Sequence, residues 1–465
     1  MNWVLEEMEQ IELGDKRLEA RAVNLLNNLG SKPLESIPIA CRGWAETKAA
    51  YRFFDNDKVT ADKILTPHRR ATFERMKAYS TILLIQDTTH LNYSTQYQRE
   101  DIGPLIHNNY RGILLHPTIA VTPKGLCLGV IDDYHWHRKH LKEKTRHEKN
   151  VENLRTPIED KESYRWVKGY QKADAIARQF LHHQIVSIAD READIYDIYN
   201  EASLSHSHAK WLIRAIKNRP LIGESGKRDA CKLWDTIRDQ PITDYRTFDL
   251  PARGSKPARK VIQSIQAQTV CLHPPIGRRG KLRMKPISVN GIIAREVNPP
   301  VGEKPIEWLL LTNLEIDTSE KRQAILQYYI CRWQIEVFFR VLKSGCRVEK
   351  LQLNCEKRYG PCLAFYLIIA WRILYLTLLS RFDPDKNCDL FFSALEWQTI
   401  YRISKQEKPP DKAPPLSTIL SMVASLGGFL NRKGDKVPGP TAVWIGLQRL
   451  KDFTLAAQVF NKTYG

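Results

Sequence analysis

No C-x-x-C pair occurs in this 465-residue chain. Its nine cysteines stand singly at 41, 127, 231, 271, 331, 346, 355, 362 and 388. An odd, scattered set excludes a disulfide framework and a Cys-rich zinc site, and fits a reduced, intracellular setting. An apolar leader is also lacking: "MNWVLEEMEQIELGDKR" is acidic and without an apolar core, so no signal peptide is expected. Long uncharged apolar runs are nearly absent. The longest, Leu363 to Leu379, carries Arg372 and is crowded by charges on both sides, which predicts a core or interface helix rather than a membrane span. No repeat is visible at solenoid periods. Acid is in deficit, 52 residues against 71 basic ones, a net charge of +19. That balance predicts a polyanionic partner, nucleic acid first.

The chain is 43% hydrophobic and 26% charged, a globular composition, and its length implies two or three domains. Residues 1 to about 62 read as helical: "GDKRLEARAVNLLNNLG" ends in Gly30, "AETKAAYRFFDN" follows, and Thr60 can cap a third helix. The middle changes character. "TILLIQ" is a short apolar strand, "GILLHPTIAV" and "LCLGVIDDYHW" form a hairpin across "TPKG", and a helix covers roughly 161–182. "QIVSIAD", a short helix and "KWLIRAI" complete an α/β layer pattern. From about 218 to 305 a basic, mostly β insertion interrupts it; between Ala252 and Lys285 stand nine Arg or Lys and no acid. "IEWLLLT" resumes the sheet, and beyond about 360 the chain is helical, with a Pro-rich loop at 408–415.

Three acids stand where chemistry can gather. Asp87 and Asp190 each end a strand, and Glu336 lies on the helical segment "YYICRWQIEVFFRVLKSG". Carboxylates at strand ends can hold Mg²⁺ for phosphoryl transfer. At about 100° per residue, Tyr329, Arg332, Glu336 and Lys343 fall within roughly 60° of one another, a stripe about 21 Å long. Leu326, Ile330, Trp333, Val337 and Val341 form the adjacent apolar stripe, expected to anchor the helix against the sheet. A phenol and two cations around a carboxylate suit a phosphate grip beside a metal. The plain alternative is a solvated face with an Arg332–Glu336 ion pair.

The spacing Y-x2-R-x3-E-x6-K, met by Tyr329, Arg332, Glu336 and Lys343, resembles the signature of the DDE transposases of the insertion-sequence-four group. "QDTTHLNY", "DREADIY", "EWLLLT", "LGDKRLEARAVNL", "AYRFFDN" and "GGFL" resemble the same group, nearest its Tn5 subgroup, over essentially the whole chain. The resemblance implies an RNase H-like catalytic domain at 63–360 with the β-rich insertion. It also implies a helical end-recognition domain at 1–62 and a helical dimerisation domain at 361–465. It makes Asp87, Asp190 and Glu336 the metal ligands, for Mg²⁺ with Mn²⁺ as substitute. Tyr329, Arg332 and Lys343 become phosphate contacts, Trp308 the stacking partner of a flipped-out base, and Arg214 a basic residue near the active site. The implied activity is cut-and-paste transposition of a bacterial insertion sequence, acting in the cytoplasm at the nucleoid. Its partner would be double-stranded DNA, both terminal inverted repeats and target, with the protein a homodimer in the DNA complex.

Two departures concern the ends of the element. Lys16 and Arg17 precede Leu18 where the subgroup tends to show two consecutive Arg, and the segment after Arg111–Gly112 is aliphatic rather than Trp-rich. A different terminal repeat is therefore expected. The rival functions are an RNase H-like nuclease acting on DNA junctions, a catalytically silent DNA-binding relative, and a metal-dependent phosphohydrolase of small molecules, which the charge disfavours. His135, His137 and His140 lack a finger-like second pair and read as phosphate or surface residues rather than a zinc site. His206 and His208 are unspecific, and "GRRGKLRMK" reads as a contact to DNA backbone.

Overall fold

The computed structural model describes residues 3–94, 101–105, 110–138, 145, 147–148, 151–152, 156–204, 207–223, 226, 228–250, 257–275, 284–432, 435 and 437–463. His140, His206 and most of the "GRRGKLRMK" run lie outside them. In chain order the strands are β1 (Thr81–Gln86), β2 (Thr89–Asn92), β3 (Gly112–Val121), β4 (Cys127–Trp136), β5 (Gln184–Ala189), β6 (Lys210–Arg214), β7 (Pro220–Ile222), β8 (Arg228–Lys232), β9 (Asp244–Leu250), β10 (Arg259–Leu272), β11 (Ile287–Glu296) and β12 (Glu307–Thr312). The chain packs as two units, one of residues 1–78, 88–141 and 333–465, the other of 79–87 and 142–332.

The first unit is built on the Tyr359–Phe382 helix. Among the described residues only this helix is long and apolar enough to cross a membrane, and 94% of its apolar window is buried inside the protein. Arg372 is accommodated there by donating to the Phe391 carbonyl at 2.9 Å, with its guanidinium 5.5 Å from the Trp3 ring. Burial pulls its pKa down to about 10. The antiparallel strands β2, β3 and β4 belong to this unit. The β3–β4 turn uses Gly125 at φ 97°, a conformation open to glycine. Thr60 caps the Ala61–Met76 helix, accepting from the Lys63 amide at 3.2 Å.

A buried polar network ties these pieces together. Glu7, 2% exposed, accepts from His68 Nδ1 at 2.5 Å and from Arg75 Nη1 at 2.7 Å. The Val130 amide donates to His68 Nε2 at 2.9 Å, which fixes the neutral tautomer with its proton on Nδ1. Arg75 also donates to the Leu128 carbonyl at 2.7 Å and lies over Trp371, whose indole donates to the Cys127 carbonyl at 3.1 Å. The N-terminal helices, β4 and the core helix thus share one set of hydrogen bonds.

The second unit is a mixed sheet in the order β1-β5-β6-β12-β11-β10-β7-β8, with β9 on β10. β1, β5 and β6 run parallel, and β12 runs antiparallel to β6. In sequence, the β3–β4 hairpin falls between β1 and the next two parallel strands. This strand progression is RNase H-like, and the fold class is α/β as expected. The basic segment after β6 is β-rich: β7 to β11 extend the sheet, with the short Leu233–Arg238 helix among them.

The Tyr164–Ala177 helix, shorter at both ends than its periodicity implied, comes close to the end of β1 at Gly169. A Cβ there would stand 2.0 Å from the Gln86 side-chain oxygen. Gln86, 2% exposed, in turn donates to Ser187 of β5 at 3.0 Å. Gly169→Ala should therefore overpack the C-terminal end of β1 and destabilise the fold by about 1–3 kcal/mol, read as a lowered melting temperature. An unchanged melting temperature would show that the helix can move away freely.

Candidate functional site

The site begins with strand register. β1 and β5 pair in parallel from Thr81↔Gln184 to Ile85↔Ile188. The same register, continued past both strand ends, sets Asp87 level with Asp190, on strands that neighbour each other at about 4.8 Å. Both carboxylates thus leave the sheet at its C-terminal edge, where side chains escape the core. Asp190 Oδ1 accepts the Glu192 amide at 2.8 Å and caps the short Arg191–Ala193 turn. Asp87 Oδ2 accepts from Arg332 Nη1 at 2.9 Å.

The neighbouring Asp194 has a different role that the sequence does not reveal. It is 1% exposed and accepts from the Tyr199 hydroxyl at 2.9 Å, the Ile216 amide at 3.0 Å, the Lys217 amide at 2.9 Å, and Arg219. Burial pushes its carboxyl up, but Arg219 and the two amides outweigh it and hold the pKa below its usual value. Every lone pair is engaged by the fold, so Asp194 is a scaffold residue.

The segment expected as one helix is three pieces. The Ser319–Cys331 helix ends at Arg332, the Trp333–Arg340 helix follows, and a π turn spans Val341–Gly345. The interruption and the wider turn replace the single unbroken helix that the stripe assumed. The apolar side shifts with it. Trp333 is 46% exposed and Val337 half-buried, while Ile335, Phe338 and Phe339 face the core. The expected anchoring by Trp333 and Val337 is corrected accordingly.

Asp87, Asp190, Arg214, Trp308, Tyr329 and Arg332 all belong to the second unit. Tyr329 is 3% exposed, and its ring lies 6.0 Å from the Arg332 guanidinium. Burial raises its phenol pKa, against the pull of Arg332 and Arg214. Arg214 ends β6 and donates to the Glu307 carbonyl at 3.3 Å. Trp308 is 8% exposed; Phe248 stacks on it at 5.5 Å and Tyr329 meets it edge-on at 5.8 Å. For a base to stack there, one of these rings must yield. Phe248 was not legible in the sequence, although the alternation in "DYRTFDL" was its available signal.

Glu336 and Lys343 belong to the first unit. Lys343 donates to the His90 carbonyl at 2.5 Å and stands 3.9 Å from Glu349. Burial lowers its pKa, against Glu349. His137 pairs with Glu356 at 2.7 Å and His135 faces Asp133 at 3.5 Å. Among the described residues no three His, Cys, Asp or Glu gather closely enough to hold a metal ion. The level pair Asp87–Asp190 nonetheless has the chemistry Mg²⁺ requires: hard oxygen donors, one or two carboxylates, the remaining positions left for water and phosphate.

The two ends of the chain carry their own signals. The Lys16–Ser31 and Trp44–Phe54 helices line a groove with Arg17, Arg21, Lys48 and Arg52, and Trp44 is 79% exposed. On the Pro440–Thr463 helix, Phe453, Leu455, Val459 and Phe460 are 40–60% exposed.

Paired strand-end aspartates thus lie on an RNase H-like sheet that is flanked in sequence by helical ends of these two kinds. Two family models match those ends: transposase DNA-binding matches residues 1–59, and the transposase Tn5 dimerisation domain matches residues 368–465. Both matched segments are thus similar to domains of transposases, the second to the Tn5 type. Among solved structures, a piggyBac transposase synaptic complex with hairpin DNA is similar at a TM-score of 0.32 and 10% identity, over 82% of this chain. The chain spans 54% of that protein's length.

Proposed function

We propose that this protein is a DNA transposase acting by cut-and-paste. The observation that carries the reading is the level pair of carboxylates, Asp87 and Asp190, with Arg332 and Tyr329 beside it. Asp87 and Asp190 would hold Mg²⁺, with Glu336 joining on the family resemblance alone. When bound, the ion would activate a water or 3′-hydroxyl and stabilise the leaving oxygen. Arg332, Lys343 and Arg214 position phosphates by charge, and Tyr329 by its hydroxyl. Trp308 receives an unstacked base once its ring is uncovered. The reaction order is nicking at the element's 3′ end, attack of the freed hydroxyl on the opposite strand, opening of the hairpin by water, and joining to target DNA. Residues 1–62 read the element's end, 63–360 carry the chemistry with the insertion at 218–305, and 361–465 pair two protomers. These are functional divisions rather than packing units.

The test uses the full chain, Mg²⁺ and a duplex carrying the inverted repeat that flanks the gene. Hairpin-ended product and joined target are expected, with nicking dependent on the repeat. Cleavage that ignores the repeat and yields no joined product would make the protein a nuclease. Full binding with no nicking would make it a silent DNA-binding relative.

A further inference from the structure

We propose that Arg332 makes cation loading of the carboxylate pair depend on nucleic-acid phosphate. This rests on the reading of Asp87 and Asp190 as cation ligands. Arg332 Nη1 stands 2.9 Å from Asp87 Oδ2, and the two side chains are only 10% and 18% exposed. A pair so withdrawn from water is held by its partners, and neither member can be left alone without cost. A divalent cation binds carboxylate oxygen at about 2.0–2.6 Å. On Asp87 it would therefore stand within a few ångströms of the guanidinium, where like charges repel strongly. Arg332 and a cation thus compete for the same carboxylate.

Neither natural ligand resolves the competition alone. A cation on Asp87 displaces the guanidinium from its carboxylate. A phosphate that draws Arg332 away leaves Asp87 charged beside Asp190, two anions level on adjacent strands. Together they satisfy every group: phosphate takes the guanidinium in its preferred forked geometry, and the cation takes the carboxylates. Arg332 can serve both states from one place. It stands at the C-terminal end of the Ser319–Cys331 helix in helical backbone, beside the buried Tyr329 ring. DNA and cation therefore bind with positive, reciprocal coupling. Without DNA the pair stays closed by arginine, which keeps an activated water from forming where there is no substrate.

The test is Mn²⁺ titration of the full chain, with and without the inverted-repeat duplex, reading free Mn²⁺ by its paramagnetic resonance. DNA should tighten Mn²⁺ binding by the wild type at least about tenfold. Arg332→Gln should tighten DNA-free binding to within about threefold of the wild-type DNA complex, leaving DNA little to add. Arg332→Lys, which keeps the charge, should stay weak without DNA. Wild-type coupling below about twofold, or DNA-free binding unchanged or weaker in Arg332→Gln, overturns the proposal. If Asp87→Asn binds Mn²⁺ as well as wild type, or no variant binds it in either state, the cation reading itself falls and takes the coupling with it.

Discussion

Asp190→Asn should lower Mg²⁺-dependent nicking on the order of 10³-fold or more, while leaving affinity for end DNA unchanged. The size follows from the role: one ligand of a paired site is removed, and the charge developing at phosphorus loses its counterpart. The stability cost should be small, because Asp190 caps the Glu192 amide through an oxygen that asparagine also offers. Asp87→Asn should separate from it. The loss of nicking would be similar, but the Arg332 guanidinium would lose its charged partner in a half-closed environment. A fall in stability of about 1–3 kcal/mol should accompany it. Glu336→Gln should keep DNA binding and lose cleavage. Nicking of the inverted-repeat duplex, with calorimetry of each variant, measures both quantities. Cleavage near the wild-type rate in either Asp190→Asn or Glu336→Gln would remove that residue from the site.

What could be read in the sequence, and what could not, follows from where the information lies. "TILLIQ" and "QIVSIA" are continuous apolar runs, the mark of parallel strands covered on both faces, so the aspartates after them were legible as strand-end acids. Their register was not, because it joins segments about a hundred residues apart and rests on tertiary pairing. Asp190 and Asp194 look alike in "DREAD"; only the enclosure of Asp194 by Tyr199, Arg219 and two amides separates scaffold from site. The break at Arg332 was hidden for a different reason. Helical spacing on either side of it persists, and periodicity averages across an interruption of one residue. Trp333 was misplaced with it. An apolar residue at helical spacing is assigned to the core by default, whereas the shifted phase sends Ile335 and Phe338 inward instead. The Leu363–Leu379 run illustrates the limit of composition: apolar on all sides, it fits a membrane or a protein core, and only its burial by the surrounding helices and β4 decides.

The second large effect concerns stability and lies far along the chain from the carboxylate pair. Glu7→Gln should destabilise the first unit by about 3–5 kcal/mol, since it removes the one charge that Arg75 and the His68 Nδ1 proton both meet. Burial pushes the Glu7 carboxyl up, yet His68 and Arg75 outweigh it and bring its pKa from 4.5 to about 2. A depressed carboxyl stabilises the fold above its unfolded pKa and ceases to do so as pH falls through the folded one. That contribution is therefore complete above pH 4.5 and fades toward pH 2. His68 acts in the same direction. Burial lowers its pKa below 6.5, so the unfolded chain takes up its proton first as the solution is acidified. Stability should thus begin to fall near pH 6.5 and keep falling to the lower limit set by Glu7. In Glu7→Gln the fall below pH 4.5 should become shallower by the share Glu7 contributed, while the fall that begins near pH 6.5 remains. Denaturant unfolding from pH 7 to pH 3, followed by tryptophan fluorescence, separates the two. A wild-type profile flat below pH 6 would mean that the network is not charged as its geometry implies.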